Sequence, residues 1–99
     1  MLEPTIIDVA IKAQLLSLTK KLWLYNYVAD IYRQHNKLTS AIYLLRQALL
    51  IDDENDLLLK NLGYTLYLNH EYAAALVTFE DILHKDFSVY DFIKQCRQA

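Results

Sequence analysis

The chain has 99 residues, 55 % of them hydrophobic, with one Gly, one Pro, one Cys and a formal net charge of −2. That length holds one domain with a modest core, the scarcity of turn formers excludes a many-stranded β fold, and the charge balance excludes the basic footprint of a nucleic-acid binder. The lone Cys96 excludes an internal disulfide, in keeping with a reducing compartment, no apolar run approaches the roughly 20 residues of a membrane span, and Met1-Leu2-Glu3-Pro4 lacks the basic start of a signal peptide.

A soluble, cytosolic, all-α domain is therefore expected. Residues 5–18 read as a leading helix with Thr5 as N-cap and Asp8 three positions on, an approximate capping box. Its apolar residues form two stripes, Ile6/Val9/Ala13/Leu16 and Ile7/Ile11/Leu15/Leu18. A helix apolar on so much of its circumference wants cover on more than one side. It is expected to pack on the next helices as an N-terminal cap, and a dimer or partner interface is the second role open to it.

Thr19-Lys20-Lys21 reads as a short polar link. The next helix, from about Leu22 to Gln34, carries a packing stripe of Tyr25, Val28, Ala29 and Tyr32, with Ala29 small so that its partner can approach. The turn His35-Asn36 puts Asn where a left-handed residue is needed, and Asn is the least costly choice after Gly. A helix from about Leu38 to Ile51 then buries Leu38, Ala41, Ile42, Leu45, Ala48 and Leu49. The acidic run Asp52-Asp53-Glu54-Asn55-Asp56 closes this unit and opens the next, with Asn55 or Asp56 as N-cap and the negative charge favourable at a helix start.

A second pair comes next, at about Asp56 to Leu68 and Tyr72 to His84, with His70 in the turn position and a core stripe of Tyr72, Ala75, Leu76, Phe79, Ile82 and Leu83. A last helix, Ser88 to about Arg97, carries Val89, Phe92, Ile93 and Cys96 at helical spacing and is expected to cap the end.

The two helix pairs are one unit written twice. Ala41 and Ala75 set the period at 34, and at that shift Tyr25-x-x-Val28-Ala29-x-x-Tyr32 falls on Leu59-x-x-Leu62-Gly63-x-x-Leu66, and Ala41-x-x-x-Leu45-x-x-Ala48 on Ala75-x-x-x-Phe79-x-x-Ile82. Intervals of three and four keep these positions on one helix face. The pattern resembles the tetratricopeptide repeat (TPR). The resemblance implies a TPR-like helical-hairpin solenoid of about six helices, in which 5–18 leads, 22–55 and 56–87 are the repeats and 88–99 caps. The repeats are degenerate: Asp53 and Phe87 stand where the TPR proline is expected.

Each helix A keeps another stripe once the packing positions are assigned: Trp23, Asn26, Asp30 and Arg33 in the first repeat, Leu57, Lys60, Tyr64 and Tyr67 in the second. Helices A line the inside of a stacked superhelix, so these residues are expected to share a concave groove suited to a peptide. TPR domains that capture chaperone C-terminal carboxylates use converging Lys, Arg and Asn residues. Asn61 matches one such position, but Asn26 and Asp30 stand where that family has Lys and Asn, and Asp30 would repel a carboxylate.

Enzymatic signatures are missing: no Gly-rich phosphate loop and no nucleophile with a base at a recognisable spacing. His35, His70 and His84 have no carboxylate or Cys at ligand spacing, so neither a metal nor a cofactor is expected. The apolar leading helix, two degenerate repeats and short last helix together resemble the small TPR-type chaperones of bacterial type III secretion systems. That resemblance implies a cytoplasmic protein that holds a small secretion substrate soluble and unassembled, in a heterodimer, before handing it to the export apparatus. Of that family's branches, translocator chaperones generally carry a third full repeat, so the Y-type chaperone is the nearer relative and the needle co-chaperone the next. A generic TPR adaptor, self-associating through the leading helix, is the alternative.

Overall fold

The computed structural model describes the backbone from Pro4 to Ala99, and side chains at Ser17 and from Lys20 onward. Among the described residues the chain is all-helical: α1 (Pro4–Gln34), α2 (Leu38–Ile51), α3 (Asp56–Leu68), α4 (Tyr72–Glu80) and α5 (Phe87–Gln98). Each helix packs on the next, and α3 also touches α1 and α5. The expected Thr5/Asp8 cap and the two apolar stripes of residues 5–18 lie outside the residues whose side chains are described.

Five helices stand where about six were expected, because the leading helix and the first helix A are one 31-residue helix. Thr19-Lys20-Lys21 is helical and not a link. It contains no Gly, Pro or capping turn, and Lys is among the better helix formers, so nothing interrupts the i to i−4 ladder.

The two hairpin turns are built identically, 34 residues apart. Asn36 (φ 59°) and His70 (φ 63°) are both left-handed. The Lys37 amide donates to Tyr32 O (2.8 Å) and the Asn36 amide to Arg33 O (3.0 Å). In the second hairpin Glu71 N donates to Leu66 O (2.9 Å) and His70 N to Tyr67 O (3.0 Å). This is the Schellman closure, which satisfies carbonyls that a helix end would otherwise orphan.

Between hairpins the Asn55 side chain caps α3 by accepting from Leu58 N at 3.1 Å, while its amide donates to Asp52 Oδ2 at 3.2 Å. Asp56, the other N-cap candidate, acts elsewhere. Its carboxylate accepts from the backbone amides of Leu83 (3.0 Å) and His84 (3.1 Å). That contact draws the chain out of α4, which ends at Glu80 and not at His84. Leu83 consequently leaves the expected core stripe and is 73 % exposed. Asp86 then caps α5, accepting from Val89 N at 3.0 Å.

The core runs along the seam between successive helices. Ala29, Ala41, Ala48 and Ala75 are fully buried, and around them close Leu45, Leu58, Leu66, Phe79 and Ile82. Small residues at these crossings let backbones approach, and the large ones fill the space between. Val89, Ile93 and Cys96 of α5 are buried against the second hairpin, which agrees with the expected packing stripe of the last helix.

Candidate functional site

Between the first two-thirds of α3, the C-terminal third of α1 and α5 lies an open groove of about 340 Å³, lined by Asn26, Asp30, Leu57, Lys60, Asn61, Tyr64 and Phe92. Six of these seven come from the stripes and the Asn61 match read in the sequence. Helical spacing explains their meeting: Asn26 and Asp30 are one turn apart on α1, and Leu57, Lys60, Asn61 and Tyr64 span two turns of α3.

A hydrogen-bonded cluster forms the groove's polar side. The Asn61 amide donates to Asn26 Oδ1 (2.8 Å) and Asp30 Oδ1 (3.2 Å), and its carbonyl accepts from Arg33. Asn61 is only 9 % exposed, so these partners satisfy a side chain that would be costly to leave unpaired. Arg33 also pairs with Asp30 at 2.7 Å and lies 5.1 Å over the Tyr64 ring. Asp30 therefore does not present an isolated negative charge. Lys60, on the same wall, reaches Asp86 Oδ2 at 2.9 Å. Hydrogen bonds from the Ser88 hydroxyl, Lys60 and the Val89 amide hold the Asp86 carboxyl well below its ordinary value of 3.8. The groove's charges are thus paired off within the chain.

Its apolar part is more open. Leu57 is 61 % and Trp23 63 % exposed, and both border a second depression of about 310 Å³ shared with Leu22, Asn26, Asn55 and Leu58. Trp23 stacks on Tyr27 at 5.3 Å with the rings 10° apart. Of the nine residues expected in the groove, Trp23 lies at this adjoining rim and Arg33 behind the lining. Tyr67 is not part of the lining: it packs edge-on against Tyr72 (5.4 Å) and Phe92 (5.9 Å). Phe92 takes its place, tilted against Tyr64 at 5.4 Å and stacked on Phe79 at 5.2 Å. Spacing alone marks Phe92 as a core residue of the last helix, and no local signal places it in the lining of a groove whose other wall is α1.

An arrangement of this kind offers apolar and aromatic contact area beside hydrogen-bonding groups of no net charge. It suits the face of an amphipathic helix or an extended peptide with polar side chains. Comparison with protein-family models, with curated proteins and with solved structures gives no match.

Proposed function

We propose that the chain is a TPR-like solenoid serving as a protein-binding chaperone, which holds a small type III secretion substrate soluble and unassembled in the bacterial cytoplasm before export. The observation that carries the reading is the groove between α1, α3 and α5, with Leu57 and Trp23 exposed at its rim and its charges paired internally. The repeated hairpin, with the same turn geometry 34 residues apart, supports the solenoid part. In this mechanism the client lays the apolar face of an amphipathic segment on Leu57, Tyr64, Phe92 and Trp23 instead of on copies of itself. Release to the export apparatus needs only a modest difference in affinity.

Affinity purification from the native host, with mass spectrometry of the bound chains, tests the reading. One small secreted protein in a one-to-one complex is expected. Leu57→Asp should lose it by at least about tenfold in affinity, or ~1.4 kcal/mol. Leu57 is the second residue of α3, where an acidic side chain suits the helix dipole, so the variant keeps its fold. Full retention of the client by Leu57→Asp would move the site away from the groove. Recovery of the chain with no client at all would favour the alternative, an adaptor module without a secretion role.

A further inference from the structure

A second apolar face lies on the first hairpin, lined by Lys21, Leu24, Tyr25, Val28 and Leu44 around a depression of about 260 Å³. It shares no lining residue with the groove. The 34-residue period shows what this face is built to receive. Leu24, Tyr25, Val28, Ile31 and Tyr32 of α1 correspond to Leu58, Leu59, Leu62, Thr65 and Leu66 of α3. On α3 every one of these positions is at most 7 % exposed, because α3 is covered by α4 of its own hairpin on one side and by the preceding hairpin, chiefly α2, on the other. On α1, Leu24 is 53 % and Ile31 38 % exposed. The first hairpin thus presents an open stacking face whose counterpart is a helix equivalent to α2.

The chain contains a segment in register for that part. Moving α2 (Leu38–Ile51) back by one period gives residues 4–17, and Ile7, Ile11 and Leu15 then fall on Ala41, Leu45 and Leu49. The segment is as long as α2, about 21 Å at 1.5 Å per residue. The matching inter-hairpin turn, Asp52-Asp53-Glu54-Asn55, falls on Leu18-Thr19-Lys20-Lys21. Here the two units part: α1 runs unbroken from Pro4 to Gln34 through that point. A straight helix cannot fold its first half back onto its second. Residues 4–17 extend along the α1 axis, beyond reach of the face they match.

We propose that the chain forms an exchanged homodimer, in which residues 4–17 of one copy cover the Leu24/Tyr25/Val28/Leu44 face of the other, reciprocally. Such an exchange keeps the contacts of the closed unit and straightens only the hinge, here Leu18 to Lys21. The proposal is independent of the groove and its client.

The test uses the purified 99-residue chain alone. Sedimentation equilibrium should give twice the 11.6 kDa chain mass. With p-benzoylphenylalanine in place of Tyr25, irradiation should join two chains, the link mapping between position 25 of one and residues 4–17 of the other. Leu24→Asp should halve the mass with helicity unchanged, since Leu24 is half-exposed in the single chain. Grafting the inter-hairpin turn through Thr19→Asp, Lys20→Glu and Lys21→Asn should also halve the mass and make the cross-link intramolecular. A single-chain mass for the unmodified protein, a cross-link within one chain, or a Leu24→Asp variant that stays dimeric would each overturn the proposal.

Discussion

Gly63 of α3 lies directly beneath the ring of Phe79 on α4: a Cβ built on Gly63 would stand 2.7 Å from Phe79 Cε1 and 2.8 Å from Cζ. The ring is fully buried and stacked on Phe92 at 5.2 Å, 4° from parallel. It has no room to retreat. In the first repeat the equivalent small residue is Ala29 and the equivalent large residue Leu45, so the second hairpin has exchanged a methyl group for a wider ring. Glycine in mid-helix costs about 1 kcal/mol relative to alanine, and the close approach of Phe79 is what offsets that cost.

Gly63→Ala should therefore destabilise the protein despite the better helix former. Overpacking costs about 1–3 kcal/mol, which leaves a net loss of up to about 2 kcal/mol after the propensity gain of about 1 kcal/mol and lowers Tm accordingly, by about 4–8 °C per kcal/mol for a domain of this size. Phe79→Leu in the Gly63→Ala background should cost less than the two single changes added together, since the smaller side chain relieves the clash and the added methyl group fills part of the space the ring leaves. Thermal and urea unfolding of the four proteins measures this. A more stable Gly63→Ala variant would mean that the ring is not held where it is seen.

The exchange between Gly63 and Phe79 also shows where the sequence is legible. The 34-residue period, the left-handed Asn36 and His70, the Asn55 cap and the all-helical class come from local chemistry: turn residues with positive φ, small residues at crossings, apolar residues at intervals of three and four. What local chemistry could not decide involves partners distant in the chain. Asp56 ends α4 early by taking the Leu83 and His84 amides, 27 and 28 residues away. Tyr64 and Tyr67 share one stripe and both touch Phe92 of α5, yet only Tyr64 joins Phe92 in the groove lining, while Tyr67 also packs on Tyr72. Thr19-Lys20-Lys21 is polar in the manner of a link, but polarity without a helix breaker is equally the solvent face of a continuous helix.

The cluster around Asn61 makes a stability prediction separate from any client. Asn61→Ala removes the acceptor for Arg33 and the donor for Asn26 and Asp30 in a site where Asn61 itself is 9 % exposed. The expected cost is about 1–2 kcal/mol, read as a shift of the urea midpoint at constant slope. Arg33→Met in the same background should add less than it costs alone, because the Asn61 hydrogen bond is already gone. Full additivity would show that Arg33 and Asn61 do not act together.

Asp86 gives the acid limb of the stability curve a specific contributor. Its carboxyl is held below the ordinary value by the Ser88 hydroxyl, Lys60 and the Val89 amide. A carboxyl depressed on folding binds fewer protons in the folded state than in the unfolded state. Its contribution is complete above the unfolded value near 3.8 and is lost progressively as pH falls toward the lower folded one. Asp86→Asn keeps an N-cap of equal quality but does not titrate. The stability difference between wild type and Asp86→Asn should be constant above about pH 5 and shrink below about pH 4. A difference that grows on acidification would reverse the assigned sign.

Cys96 offers a direct view of how firmly α5 is docked. It is 6 % exposed on the inner face of α5 beside Val89 and Ile93, and burial pushes its thiol above the usual range. Reaction with a thiol reagent needs both access and the thiolate, and in the folded chain both require α5 to lift. Labelling at pH 8 should be at least about 100-fold slower in the native protein than in urea, with the slow rate reporting the opening free energy of that helix. Asp86→Ala removes the α5 cap together with the Lys60 pair and should speed labelling, while Leu57→Asp, on α3 outside the α5 cap, should not. Equal native and unfolded rates would mean that α5 does not stay on the second hairpin, and Phe92 could not then form the groove wall beside Tyr64.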